Sequence, residues 1–139
     1  MRVCIVGAKE RDTESDRRTV CDLMEQISEQ SSGCLFITMM THVGVGKFIR
    51  EKCLERDAND RYRFALIECN TRVYAQNLAK SELAQIYLAR NGTPFEMSDV
   101  LYYLASEERR GPMEELLQRF IDAGRPVKVL MPGDDLELI

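Results

Sequence analysis

Several features that would declare a function outright are missing from this sequence. Its five cysteines (Cys4, Cys21, Cys34, Cys53 and Cys69) form no CxxC pair and lie 13 to 19 residues apart, which argues against a structural zinc site. They fall in strand-like or helix-like runs and are odd in number, so they read as small buried hydrophobes of a reducing compartment. Cys69, at the end of a strand-like run, is the one to watch. The single histidine, His42, has no second imidazole with which to share a metal. No apolar run approaches the roughly 20 residues that a membrane-spanning helix needs. The start, MRVCIVGAKE, lacks the layout of a signal peptide, so a cytoplasmic location and no membrane partner are expected. Basic residues are not in excess, and a net charge of −4 argues against nonspecific nucleic-acid binding. A small anion held by a few local cations stays within reach. Two phosphate motifs are absent as well. For a P-loop, Thr41 stands where the first glycine belongs and Phe48 where Ser or Thr belongs; for GxGxxG, the first loop reads GAKERD. A P-loop NTPase and an ordinary NAD dehydrogenase are thereby disfavoured.

What is present is a regular alternation of two periodicities over 139 residues, 45% of them hydrophobic and 30% charged. That length suits one domain, 1–139. The runs 2-RVCIVG-7, 34-CLFITMM-40, 62-YRFALIEC-69, 99-DVLYYLA-105 and 126-PVKVLM-131 read as buried strands. Between them lie helix-like segments. Val20, Leu23, Met24 and Ile27 share one face of 13–30, which opens with a capping-box-like Thr13 and Asp16. Val45, Phe48, Ile49 and Cys53 share a face of the second helix, beginning near Gly44. A third is expected over 76–90, with Gly92 as its C-cap and 93–98 as a loop. The last starts at Pro112, lines up Met113, Leu116, Leu117, Phe120 and Ile121, and ends at Gly124. From about residue 132 to 139 the chain is an acidic tail or short edge element. Strands apolar on both faces and alternating with helices predict a parallel sheet covered on both sides. The expected fold is a single-domain, three-layer α/β/α, Rossmann-like doubly wound sheet of about five strands.

In such a sheet, ligands bind beyond the carboxyl ends of the strands. Four loops reach that edge: 7-GAKERDT-13, 41-THVGVGK-47, 70-NTRVYAQ-76 and 106-SEERRGPMEE-115. Gly7 and Ala8 allow close backbone approach, with Lys9 as a nearby cation. Gly44 and Gly46 precede a helix whose free N–H groups attract an anion, with Lys47 beside them and His42 and Asn70 close in sequence or edge position. Arg109, Arg110 and Gly111 open the last helix in the same manner. Three such loops on one edge favour a phosphorylated ligand over three chance turns.

These pieces also resemble a family. A strand ending VGAK, a second strand followed by THVGVGK, and 99-DVLYYLASEERRGPMEELL-117 are similar to the SLOG superfamily. That group holds the LOG phosphoribohydrolases, DprA-type proteins and nucleotide-sensor domains, and is related in pattern to the nucleoside 2-deoxyribosyltransferases. Gly111 followed by Glu115, with Glu114 adjacent and 124-GRPVKVL-130 after, matches its most telling spacing. The resemblance implies a nucleotide or nucleotide-derived ligand. It also implies a glutamate, Glu115 or Glu114, working at the ribose and its N-glycosidic bond, where a carboxylate stabilises or attacks an oxocarbenium ion. The LOG pattern PGGxGTxxE itself is absent: Arg109 and Arg110 occupy glycine positions and Pro112 that of threonine. Nucleotide binding is therefore the first expectation. An N-glycosidic hydrolase or transferase acting on a nucleoside 5′-monophosphate is the alternative, and a protein-interaction subunit using the fold as scaffold is a third. No cofactor and no metal is expected, and homo-oligomerisation is compatible with all three.

Overall fold

A computed structural model of the chain describes residues 1–70 and 98–139. The helix expected over 76–90, Gly92 and nearly all of the 93–98 loop lie outside the described residues. Five parallel strands form one sheet in the order β3-β2-β1-β4-β5: β1 (Arg2–Gly7), β2 (Leu35–Met40), β3 (Ala65–Asn70), β4 (Val100–Leu104) and β5 (Val127–Leu130). Three helices are described, α1 (Glu14–Gln30), α2 (Val45–Cys53) and α3 (Pro112–Asp122). The α/β parallel-sheet fold expected from the alternating periodicities is the fold observed.

Each strand alternates its side chains between two apolar layers. Val3 and Ile5 of β1 pack with Val20, Leu23 and Met24 of α1 and Phe48 and Ile49 of α2 on one face. Cys4 and Val6 pack with Met113, Leu116, Leu117 and Phe120 of α3 on the other. The sheet is thus covered on both faces, which is why most of its strand positions are apolar. Successive strands run outward from β1 to β2 and β3, and the chain then returns to the far side of β1 as β4. The order of the strands therefore reverses between β1 and β4, the position at which an open α/β sheet leaves a crevice at its carboxyl edge.

Two boundaries differ from the expected ones for reasons that can be named. The strand expected to begin at Tyr62 begins at Ala65, because Tyr62 is taken by a local loop. It makes an isolated antiparallel bridge with Arg56, and Arg56 stacks on its ring at 4.4 Å. Asp57 closes that loop by accepting from the backbone N–H groups of Asn59 and Arg61 at 2.8 and 3.1 Å. The acidic tail forms no strand, yet it is anchored. Leu136 and Leu138 pack against the α1/α2 layer, and the Ile139 N–H donates to the Tyr102 hydroxyl at 3.0 Å.

One buried ion pair ties the sheet's carboxyl edge to α1. Arg11, in the loop after β1, is 4% exposed. Its Nε donates to Asp16 Oδ1 at 2.7 Å, and its Nη1 donates to the carbonyls of Ala105 at 2.8 Å and Leu130 at 2.7 Å, just past β4 and at the end of β5. Burial pushes the Asp16 carboxyl up, but the bonds from Arg11 and Thr13 outweigh it and hold it below the usual carboxylate range.

Candidate functional site

The loops after β1, β2 and β4 enclose a cleft of about 420 Å³ over the crevice, within the size range of small-ligand sites. Its walls are mainly apolar, from Val6, Met39, Val43, Val45, Pro112 and Met113, and two helix N-termini open onto it.

The α2 end is built by close packing and by a backbone turn. Gly44 is the N-cap, with φ 75° and ψ −150°, a region essentially restricted to glycine. Its N–H donates to Asp12 Oδ1 at 2.8 Å, which ties the β2 loop to the β1 loop. Gly46 is needed for a different reason. A Cβ there would lie 2.4 Å from the Met39 carbonyl oxygen and 2.3 Å from Thr41 Oγ1, so only glycine lets the first turn of α2 lie against β2. A Cβ on Gly7 would likewise meet Val45 Cγ2 at 2.3 Å. The Arg50 guanidinium secures the loop from below, donating to the Thr41 carbonyl at 2.7 Å and to Glu68 Oε2 at 2.9 Å.

No side chain caps α2, and its first turn holds no acidic residue. Among the described residues, none accepts from the N–H groups of Val45, Gly46 or Lys47. Of these, Val45 and Gly46 line the cleft, and the positive end of the helix opens toward it. The α3 end resembles it only in outline. Gly111 is again a glycine N-cap, at φ 110°, with no side-chain cap. Here Pro112 has no N–H, the Glu114 N–H turns back to the Gly111 carbonyl at 3.2 Å, and Glu114 and Glu115 already stand in the first turn. The α2 end has the more open first turn of the two.

Of the residues singled out from sequence, Gly7, Ala8, Lys9, Gly44, Gly46, Arg110 and Gly111 line this one cleft. The others lie elsewhere. His42 is exposed on the loop and is not a lining residue. Lys47, also outside the lining, leans along α2 toward Glu51 at 3.9 Å. Asn70 ends β3, in register with Met40. Arg109, held at φ 50°, donates through Nε to both Glu114 oxygens at 3.1 Å, so its charge is directed to α3 rather than into the cleft. Burial pushes the Glu114 carboxyl up, and Arg109 together with the neighbouring Tyr103 hydroxyl more than offsets this, so it sits below the usual range. The Tyr103 hydroxyl makes no bond of normal geometry, and its pKa is pushed well up, first by burial and then by the Glu114 carboxylate. Glu115 is exposed on α3 and outside the cleft lining. Cys69 is fully buried, and burial pushes its thiol up to about 12, which rules it out as a ready nucleophile.

Three cleft features escaped the sequence reading: the apolar walls, Glu10 at the lip, and Thr41, whose buried hydroxyl has no partner. Among the described residues, buried side-chain atoms without a hydrogen bond number three: Thr41 Oγ1, Tyr103 Oη and Ser106 Oγ. Thr41 follows β2, Tyr103 lies near the end of β4 and Ser106 just beyond it, so all three gather at the carboxyl edge. Such groups are rare in native interiors and call for a water, an ion or a ligand. Among the described residues no group of three His, Cys, Asp or Glu side chains is placed to hold a metal ion, and no helix is long and apolar enough to cross a membrane.

Compared with known proteins, the chain matches no family model, no curated protein and no solved structure.

Proposed function

We propose that the cleft at the carboxyl edge binds a small phosphorylated ligand, a nucleotide or a nucleotide-derived molecule, with a phosphate seated on the N-terminus of α2. The observation that carries this reading is the open first turn of α2 beside the cleft: three N–H donors without partners among the described residues, no capping side chain and no acidic residue. Anions are stabilised at such helix ends. Lys9 and Arg110, both cleft residues, add positive charge beside it, Arg110 by exchanging its exposed ion pair with Glu108 for the phosphate. The apolar walls suit the uncharged remainder of the ligand, and Thr41 Oγ1 offers it an unused polar atom. This reading needs no catalytic carboxylate. Glu115 faces solvent, and Glu114 is occupied by Arg109. No observation favours bond cleavage or a scaffold role over binding.

The test is a thermal-shift and calorimetric panel of nucleoside 5′-monophosphates, the matching nucleosides and inorganic phosphate. A ligand at 100 times its dissociation constant adds about 2.7 kcal/mol. The monophosphates are expected to stabilise the protein well beyond the nucleosides. Arg110→Ala should weaken a monophosphate by roughly 1.5–3 kcal/mol and leave the nucleoside unchanged. Equal stabilisation by nucleoside and nucleotide would remove phosphate from the cradle.

A further inference from the structure

A second cleft lies on the other side of the β1 and β4 loops, between the start of α1 and the end of β5. It is an open groove of about 780 Å³ that meets the first cleft at Glu10 and Arg110. Its lining mixes polar and apolar side chains, and its rim is acidic. Ser106, 5% exposed, lines it with an Oγ that has no hydrogen-bond partner. Arg11, 4% exposed, also lines it. Its Nε and Nη1 are engaged by Asp16 and the two carbonyls, so among the described residues the unpaired buried polar atom of this cleft is Ser106 Oγ. A buried hydroxyl left without a partner is expensive to maintain unless something fills it. The rim carries Glu10, Glu107 and Asp134. The nearby cations are already committed, Arg11 to Asp16 and Arg110 to Glu108, so these three carboxylates have no cationic partner among the described residues.

The two halves ask for different groups on one molecule. The rim attracts a cation, whereas the floor donates hydrogen bonds and repels one. A neutral polyol would leave the rim charge uncompensated, and a bare alkylammonium ion would leave the floor unpaired. We propose that this second cleft binds a small hydroxylated primary amine, its ammonium group among Glu10, Glu107 and Asp134 and a hydroxyl oxygen on Ser106 Oγ. The inference is independent of whether the first cleft binds phosphate.

The experiment is a ¹⁵N–¹H NMR titration of the full chain with three probes: glucosamine, which carries both features, glucose, which has only hydroxyls, and methylamine, which has only the ammonium. Saturable shifts at the Ser106, Glu107 and Gly133 amides are expected with glucosamine, at about tenfold lower concentration than with either other probe. Ser106→Ala should weaken glucosamine about fivefold, as for one neutral hydrogen bond. Glu107→Gln, a change at an exposed position with no bearing on folding, should weaken it about tenfold. Glucose binding as well as glucosamine would overturn the proposal. So would amine shifts that never saturate and spread equally to Glu14 and Glu29, which is counterion screening, or no shift with any probe.

Discussion

Helices α1 and α2 lie side by side on one face of the sheet, and their N-termini are finished in opposite ways. The first turn of α1 is closed from within: Thr13 Oγ1 accepts from the Asp16 N–H at 3.1 Å, Asp16 Oδ2 accepts from the Thr13 N–H at 3.2 Å, and Glu14 and Asp16 supply negative charge. The first turn of α2 has a glycine for a cap, no acid and a lysine at the third position. A protein that needed only stability could have capped both, since a capping residue is worth about 1 kcal/mol. One end is closed by its own residues and the other is open beside a cleft, and the proposed phosphate seat rests on that difference. Helix α3 stands between the two, with a glycine cap but two glutamates and a proline in its first turn.

The comparison is broken most severely at the closed end. Arg11→Ala would leave Asp16 buried without its partner and the carbonyls of Ala105 and Leu130 without a donor. A loss of about 3–5 kcal/mol is expected in urea unfolding. A loss below about 1 kcal/mol would mean that water replaces the guanidinium and that α1 is not closed by this pair.

Next in size is Gly46→Ala. The added Cβ must push α2 away from the Met39 carbonyl and Thr41, and overpacking of this kind costs about 1–3 kcal/mol. Calorimetric melting should show that loss, with phosphate binding falling because the cradle has shifted. Unchanged stability with binding abolished would make Gly46 a ligand contact rather than a packing requirement.

These two positions show where sequence reading succeeds and where it stops. The Thr13–Asp16 box was legible because its partners are three residues apart, and the strand-helix alternation because each period is local. Arg11 was not, since its two carbonyl partners are 94 and 119 residues away and an arginine in a polar loop looks solvated. The glycines of THVGVGK were legible as a turn at a helix start. That Gly44 is required for its backbone angles and Gly46 for its contact with β2 depends on the distance between α2 and the sheet, which no spacing reports. Arg109 and Arg110 are neighbours of identical chemistry, and only the left-handed backbone at Arg109 sends one to Glu114 while the other lines the cleft. Tyr62 reads as strand by composition, yet the Asp57 turn holds it in a loop.

Thr13→Ala separates cap from cradle at a smaller scale. It removes the hydroxyl that accepts from the Asp16 N–H, and about 1 kcal/mol of stability should go with it. Nucleotide affinity, measured by calorimetry well below the melting temperature, should not change. A drop in affinity matching the drop in stability would mean that the two helix ends act as one unit.

The finest test makes the open end resemble the closed one. Lys47 is the third residue of α2, as Asp16 is of α1, so Lys47→Asp places at the open end the residue type that helps close the other. Lys47 makes only a 3.9 Å contact with Glu51, and replacing it sets two acids at i and i+4, a cost of about 0.2–0.5 kcal/mol. An acid in the first turn gains about 0.3–1 kcal/mol from the helix dipole, so stability should change little. That same gain is lost to an incoming phosphate, because the carboxylate occupies the field and the donors the phosphate would use. Affinity for a nucleoside monophosphate should therefore fall roughly two- to fivefold, with the nucleoside unaffected. Titrations at low and high salt sharpen the result, since a through-space effect at this half-exposed position shrinks as salt screens it. If Lys47→Asp melts higher and binds the monophosphate as tightly as before, the open turn of α2 is an unfinished helix end and not a cradle.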